Sequence, residues 1–216
     1  MFDLYLITDD RLPDLVGAVR QALQGASAGR VAVQLRAKQR SSRELLQLAT
    51  ALRALTAEHG AALFVNDRVD IAVLCGADGV QLPEQAVPVA SARALLPAGA
   101  HVGVSCHDAA GLARAARDGA SFATLSPVYE SPGKGPALGC DRFAALASQA
   151  PLPVYALGGV RPEHARALRS AGAAGLAVIS AVSSAPDPAL ALHACLRAWA
   201  DAETEQPPHP TASRNI

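Results

Sequence analysis

Two stretches near the end of the chain, PVYALGGV at residues 153–160 and AGAAGLAVIS at 171–180, decide the fold. The first is a buried apolar strand that runs into a Gly-Gly turn, and the second is a buried strand that passes from Ser180 into a predicted helix. Glycines let backbone N–H groups approach a ligand closely, and a helix N-terminus favours an anion. Two ordinary tight turns are the alternative. Since a (β/α)8 barrel commonly holds phosphate in its last two loops, we predict a phosphate site here.

The rest of the chain alternates in the same way between apolar strands and helical segments. The clearest helical segment is SSRELLQLATALRALTAEHG at 41–60, where Ser42 is expected to cap the helix and Gly60 to end it. Eight strands that are apolar on both faces and joined by helices favour a closed parallel barrel; an open, flavodoxin-like sheet is the alternative and needs fewer strands. The predicted strands are LYLIT (4–8), VAVQL (31–35), ALFV (62–65), GVQL (79–82), HVGVS (101–105), FATLS (122–126), PVYAL (153–157) and GLAVIS (175–180).

The predicted domain organisation is one α/β domain, a (β/α)8 barrel at residues 1–200, followed by a tail at 201–216. A chain of 216 residues is within the lower range for such a barrel. The last predicted helix covers about 186–200 and contains Trp199. After it, DAETEQPPHPTASRNI is polar, proline-rich and without periodicity, so we expect it to be disordered.

The composition indicates which classes of partner the protein does not bind and in which compartment it is expected. A net charge of +0 with 18% charged residues provides no basic surface for nucleic acid or for an anionic membrane. No apolar run is long enough to span a bilayer, and the chain starts on a strand without a signal peptide, so we expect a cytoplasmic protein. Four cysteines without CxxC spacing are expected to be free thiols: Cys75, Cys106, Cys140 and Cys195. The oligomeric state stays open, and a homo-oligomer is allowed.

Polar side chains follow the second and third strands. Gln34, Arg36 and Lys38 alternate at the end of the second strand, so all three point to one side, into the mouth of the barrel. Two cations and an amide suit phosphate or pyrophosphate oxygens, although a solvated loop is the alternative. Asn66 and Asp67 end the third strand, where they form a turn or offer an amide and a carboxylate oxygen to Mg²⁺.

The fifth and sixth strands also end in polar residues. Ser105 and His107 place a hydroxyl and an imidazole at the mouth, and His107 alone of the six histidines comes immediately after a strand. The sixth strand runs into SPVYESPGKG at 126–135, a glycine-rich loop with Ser131 and Lys134 that is suited to closing over phosphates.

Seven motifs in order carry a resemblance over about residues 4–182. QLRxK, ND, ADGVxL, GVSxH, SPVxxS…K, ALGGV and GxAVIS resemble the thiamine phosphate synthase and thiazole tautomerase (TenI-like) family, whose members share one barrel. The resemblance implies an enzyme of thiamine biosynthesis. In the synthase, the nitrogen of a thiazole phosphate displaces pyrophosphate from hydroxymethylpyrimidine pyrophosphate, and Mg²⁺ binds the leaving group.

The resemblance also implies a role for each matching residue. Gln34, Arg36, Lys38 and Asn66 would contact the pyrimidine pyrophosphate, and Asp67 would ligate Mg²⁺. Ser105 would contact the pyrimidine, whereas Ser131 and Lys134 would hold phosphate oxygens from the loop. The backbone amides of four residues would bind the thiazole phosphate: Gly158, Gly159, Ile179 and Ser180.

Two departures from the family pattern open further hypotheses. The second Mg²⁺ ligand of the synthases is an Asp in a Gly-Gln-x-Asp run, and here the run reads PEQA at 83–86, with Ala86 at that position. The usual Thr-x-Thr-Lys run is SPGK at 131–134. A tautomerase, which needs no metal and would use His107 as its acid–base group, is therefore the second hypothesis. A barrel that binds a thiamine precursor without turning it over is the third.

Overall fold

Eight parallel strands close into a barrel in the computed structural model, which describes residues 1–204. Each strand pairs with the next in chain order, and the barrel closes where Leu4 of the first strand pairs with Leu176 of the last. The predicted (β/α)8 barrel is confirmed. The strands are β1 Leu4–Ile7, β2 Val31–Leu35, β3 Ala62–Asn66, β4 Gly79–Leu82, β5 His101–Cys106, β6 Phe122–Leu125, β7 Val154–Leu157 and β8 Gly175–Val178.

Helices follow the strands and surround the barrel. They are α1 Leu15–Leu23, α2 Ser42–Glu58, α3 Val69–Cys75, α4 Val89–Leu95, α5 Ala109–Arg117, α6 Gly139–Ala147, α7 Ala165–Ser170, α8 Ser180–Ser183 and α9 Pro188–Thr204, with a short 3-10 helix, Pro162–His164, before α7. Their apolar faces cover the outer faces of the strands, as Leu45, Leu52 and Leu55 of α2 do. None of these helices within residues 1–204 is both long and apolar enough to cross a membrane.

The N-terminal cap of α2 differs from the prediction. Ser41, not Ser42, is the cap: its hydroxyl accepts the Glu44 N–H at 3.3 Å, and the Glu44 carboxylate accepts the Ser41 N–H at 2.9 Å. This reciprocal capping box needs a Glu three residues after the cap. Ser41 meets that requirement, whereas Ser42 is followed at that distance by Leu45.

Aromatic rings fill the end of the barrel opposite the strands' carboxyl ends. The chain has eight aromatic residues, and five of them pack together there: Phe2, Tyr5, Phe64, Phe122 and Tyr155. Glycines in the neighbouring strands leave room for them, since a Cβ on Gly103 would lie 2.5 Å from the Phe122 ring and one on Gly175 would lie 2.5 Å from the Tyr155 ring. These rings therefore close the barrel interior at this end, and the carboxyl ends of the strands are at the opposite end.

The last helix, α9, is longer than predicted. It continues to Thr204 because Ala202 is buried and Glu203 forms an ion pair with Arg169 at 3.0 Å. Residues 201–204 of the predicted tail therefore belong to α9, and the boundary of the domain stays a prediction. Residues 205–216 lie outside the described residues.

Candidate active site

The carboxyl ends of the strands surround a cavity of about 270 Å³ at the open end of the barrel. Its wall contains Arg36 and Lys38 after β2, Asn66 at the end of β3, and Lys134 from the loop after β6. We call this space the mouth cavity. The sequence-predicted residues that line it are Gln34, Arg36, Lys38, Asn66, Ser105, His107, Ser131, Lys134, Gly158 and Ile179.

A second, larger space adjoins the mouth cavity at the ends of β7 and β8. This cleft of about 590 Å³, which we call the phosphate cleft, is lined by Gly159 and Ser180 together with four residues that it shares with the mouth cavity, Ser131, Leu157, Gly158 and Ile179. The two spaces therefore have a common wall. Every predicted site residue lines one or both of them except Asp67.

The floor of the mouth cavity is a buried chain of hydrogen bonds. Gln34 Nε2 donates to the Tyr5 hydroxyl at 3.0 Å, and that hydroxyl donates to Gln81 Oε1 at 3.3 Å. Gln81 Nε2 then donates to Ser105 Oγ at 3.2 Å and to Thr124 Oγ1 at 3.4 Å. Burial raises the pKa of Tyr5 far above its ordinary value, so the hydroxyl keeps its proton. Gln34 Oε1 is left to accept a hydrogen bond from a ligand in the cavity.

Sequence reasoning missed three members of this floor, Tyr5, Gln81 and Thr124. The available signal was a polar side chain inside a strand that is otherwise apolar, since Gln81 and Thr124 occupy inward positions in GVQL and FATL. The predicted site residues come instead from the ends of the strands and the loops that follow them. The floor residues lie one inward position deeper, where they orient the side chains above them.

The end of β2 is fixed by the end of β1. Thr8 Oγ1 accepts the backbone N–H of Arg36 at 2.9 Å, and Thr8 itself is buried. The Arg36 guanidinium and the Lys38 ammonium have no hydrogen-bond or ion-pair partner among residues 1–204. Both lysines of the chain, Lys38 and Lys134, line the mouth cavity. A concentration of unpaired cations around a concave space is the arrangement that binds a highly charged anion.

The Gly158-Gly159 turn has the backbone conformation that only glycine adopts without strain. The φ angles are +93° at Gly158 and +63° at Gly159. A Cβ on Gly159 would also lie 2.7 Å from Tyr129 Cβ and 2.5 Å from the carbonyl oxygen of Glu130, so the turn packs directly on the loop after β6. The turn therefore needs glycine at both positions, and the close approach of a phosphate to its backbone stays a prediction.

The loop after β8 offers backbone donors without a long helix behind them. The helix predicted after Ser180 is α8, a single turn that ends at Ser183. In the described part of the chain, the backbone N–H groups of Gly159 and Ser180 donate to no protein acceptor. A four-residue helix contributes little dipole, so what this loop offers an anion is its free N–H groups and not a helix dipole.

His107 is held in one orientation. Its Nδ1 lies 2.6 Å from the carbonyl oxygen of Ser126, so Nδ1 carries the proton and donates. Its Nε2 lies 4.0 Å from Glu84 Oε2, and the other oxygen of that carboxylate accepts Arg114 Nη2 at 2.9 Å. Nε2 therefore faces the mouth cavity beside a carboxylate that is already paired.

The donor set for Mg²⁺ is small. No cluster of three or more His, Cys, Asp or Glu side chains suited to a metal occurs among residues 1–204. Asp67 is exposed, has φ +65°, and its backbone N–H donates to the carbonyl oxygen of Gln81 at 2.9 Å. Its carboxylate has no hydrogen-bonded partner within the described residues, whereas Glu84 is paired and Ala86 has no donor. Asp67 lines neither the mouth cavity nor the phosphate cleft, so it is one free carboxylate beside the mouth, and a single carboxylate with substrate phosphates and water is a mode in which proteins hold Mg²⁺.

Comparison with known proteins points to one family. The family model described as thiamine monophosphate synthase matches residues 4–182. A relative from Geobacter sulfurreducens is 48% identical over 193 residues, covering 87% of this chain and 89% of its own length. The thiamine-phosphate synthase of Albidiferax ferrireducens is 39% identical over 197 residues, covering 87% of each chain. Among solved structures, the thiamine phosphate pyrophosphorylase of Pyrococcus furiosus is 32% identical with a TM-score of 0.83, covering 93% of this chain and 96% of the other.

Proposed function

Because this chain belongs to the thiamine monophosphate synthase family, we propose that it is a transferase that condenses hydroxymethylpyrimidine pyrophosphate with thiazole phosphate. The products are thiamine phosphate and pyrophosphate. The observation that supports the proposal is the pair of adjoining spaces with a common wall at Ser131, Leu157, Gly158 and Ile179. A reaction that joins two phosphorylated substrates needs two such sites side by side.

The mouth cavity would hold the pyrimidine pyrophosphate. The thiazole nitrogen uses its electron pair to form a bond to the pyrimidine methylene carbon, while the bond from that carbon to the pyrophosphate oxygen breaks and the oxygen keeps both electrons. Arg36, Lys38 and Lys134 would stabilise the negative charge that grows on the leaving oxygens. Asn66 lines the same wall and would donate to a phosphate oxygen. Since the nucleophile is a neutral nitrogen, this step needs no general base.

The floor would position the pyrimidine ring. Ser105 Oγ and Gln34 Oε1 face the cavity, and both are oriented by the buried chain of hydrogen bonds through Tyr5 and Gln81. In the phosphate cleft, the free N–H groups at Gly159 and Ser180 would bind the thiazole phosphate, with Ser131 contributing a hydroxyl from the common wall.

Mg²⁺ would be held by Asp67 together with the substrate pyrophosphate and water. When bound, the ion supplies positive charge to the leaving group. With Ala86 at the position of the second carboxylate, this chain would bind Mg²⁺ weakly by itself and more tightly with pyrophosphate present.

The test is incubation of the purified protein with both phosphorylated precursors and Mg²⁺. We expect thiamine phosphate and pyrophosphate in equal amounts, and no product in the presence of EDTA. A protein that binds both precursors and forms neither product would contradict the proposal and support the third hypothesis, a barrel that only binds.

The orientation of His107 favours thiazole tautomerase as the second candidate. Its Nε2 faces the mouth cavity with the ring fixed by the Ser126 carbonyl, as an acid–base group requires. A tautomerase would isomerise a thiazole carboxylate phosphate without metal and without the pyrimidine substrate. Isomerised thiazole with no coupled product in the same assay would support this candidate.

We also propose a location for the protein. All four cysteines are free thiols in the described residues, which suits the reducing cytoplasm that we propose as the location. The oligomeric state stays open, and sedimentation or light scattering can determine it.

A further inference from the structure

Arg161, which follows the Gly-Gly turn, places a cation at the phosphate cleft. Among the described residues that line this cleft, Arg161 is the one cation and Glu130 is the one acid. Lys134 and Arg36 line the neighbouring mouth cavity instead. A phosphate monoester carries a charge of about −1.5 to −2 at neutral pH. Without Arg161, the charged side chain left in the cleft would be Glu130, which repels the ligand.

The Arg161 guanidinium has no partner within residues 1–204. Several other arginines of this chain are paired, as Arg68 is with Asp70 at 2.6 Å and Arg114 is with Glu84 at 2.9 Å. Arg161 is exposed and lines the cleft. Its five donors are therefore available to phosphate oxygens.

The backbone at Arg161 is held by His164. The Arg161 N–H donates to His164 Nδ1 at 3.2 Å, and the His164 ring stacks on Tyr129 with 3.8 Å between ring centroids. Tyr129 is itself attached to the phosphate turn, since its N–H donates to the Gly158 carbonyl oxygen at 2.9 Å. These contacts fix the position of the Arg161 backbone relative to the Gly158-Gly159 turn, and so the point from which its side chain extends.

We propose that Arg161 binds the phosphate of the thiazole substrate and that His164 is a positioning residue that aims Arg161 into the cleft. The identity of the ligand rests on the proposed function; the charge and geometry of the cleft do not. Arg161 supplies the charge that the backbone donors at Gly159 and Ser180 lack.

The first test replaces the cation. Arg161→Gln should raise both the KM and the directly measured Kd for thiazole phosphate by about tenfold to a hundredfold, as expected for the loss of a charge-assisted hydrogen bond. The kcat and the KM for the pyrimidine pyrophosphate should stay within about twofold of the parent values. Arg161→Lys keeps the charge without the two-pronged geometry and should lose less. Arg142→Gln, an exposed arginine of α6 outside both spaces, is the control.

The second test asks whether His164 acts through Arg161. His164→Ala should raise the KM for thiazole phosphate, and His164→Asn, whose amide oxygen can accept the Arg161 N–H, should recover part of the loss. In the Arg161→Gln background, His164→Ala should cause no further rise, because the residue that it positions is already gone. Equal effects in both backgrounds would overturn the positioning role.

Binding of thiazole phosphate by calorimetry separates this inference from the proposed function. If the parent couples the two substrates while Arg161→Gln keeps the parent Kd, the inference is wrong and the function stands. If the parent couples nothing but Arg161→Gln weakens thiazole phosphate binding, the inference stands and the synthase proposal fails. If the parent binds no thiazole phosphate, both are overturned.

Discussion

At the scale of one residue, Arg36 shows how the end of a strand places a cation at the mouth cavity. Its backbone N–H is fixed by Thr8, while its guanidinium is unpaired within the described residues and faces the mouth cavity. If it stabilises the departing pyrophosphate, Arg36→Ala should lower kcat at least a hundredfold, because about 3 kcal/mol of transition-state stabilisation is removed. Steady-state kinetics with pyrophosphate release as the readout measures this. A higher KM at unchanged kcat would instead assign Arg36 to ground-state binding.

Gly159 combines two constraints in one position, a positive φ and a close contact with the next loop. Gly159→Val should both destabilise the turn and block the approach of phosphate to the backbone, so thiazole phosphate binding should fall below detection in calorimetry. Gly172→Val is the matched control, because Gly172 has φ +84° and a Cβ added there would meet nothing within 4 Å. Gly172 also lines neither the mouth cavity nor the phosphate cleft. A folded Gly159→Val protein with the parent affinity would contradict the phosphate site.

Asp67 and His107 separate the two enzymatic candidates. In a synthase, Asp67→Asn should abolish coupling because Mg²⁺ loses its one protein carboxylate, and His107→Gln should cost much less. In a tautomerase the order is reversed, since His107→Gln removes the proton-transfer group and Asp67→Asn spares a reaction that needs no metal. Both activities are measured in both variants. Coupling that survives Asp67→Asn but not His107→Gln would show that our assignment of roles is wrong.

At the scale of secondary-structure elements, the strands were easier to predict than the ends of the helices. The apolar runs place every strand within two residues, because each strand is buried on both faces. Helix ends depend on contacts that are distant in sequence. The last turn of α9 is held by Arg169 from α7, which no local pattern around Glu203 shows.

The cap of α2 gives a prediction at this scale. Ser41→Ala removes one half of the capping box and should lower the free energy of unfolding by about 1 kcal/mol. Ser42→Ala, one residue later, is the matched control and should change it by less than about 0.5 kcal/mol. Urea unfolding followed by circular dichroism measures both. Equal losses in the two variants would contradict the cap at Ser41, and coupling activity should be the same in both.

At the scale of the whole molecule, the topology explains how much of the site could be predicted. Parallel strands bring all their carboxyl ends to one opening, so polar residues at strand ends could be assigned to a common site from sequence alone. The floor could not be assigned in this way. Its residues Tyr5, Gln81 and Thr124 lie on different strands and come together inside the barrel only when the barrel is closed. Arg161, which we propose to bind the phosphate, could not be assigned from sequence either, because it lies two residues beyond the Gly-Gly turn, outside every motif.

Buried acidic groups spread through the barrel make the whole molecule sensitive to alkali. Burial raises the pKa of the Cys106 thiol to about 12 and that of Cys195 to about 11, and it also raises those of Tyr5 and Tyr155. An unfolded thiol ionises near pH 8.5. Between that pH and the raised folded values, the folded state binds more protons than the unfolded state, so stability falls as pH rises.

The free energy of unfolding should therefore be level from pH 7 to about 8 and should fall by about 2 kcal/mol between pH 9 and 10, since each thiol contributes up to about 1.4 kcal/mol per pH unit. Lysines contribute little in this range, because the chain has only two, Lys38 and Lys134, whereas Cys75, whose pKa burial also raises, adds to the loss. Urea unfolding under reducing conditions at each pH gives the slope. Replacing both thiols, Cys106→Ala with Cys195→Ala, should remove most of it while lowering stability at every pH through the lost packing. A double variant with the parent slope would show that other groups carry the alkaline loss.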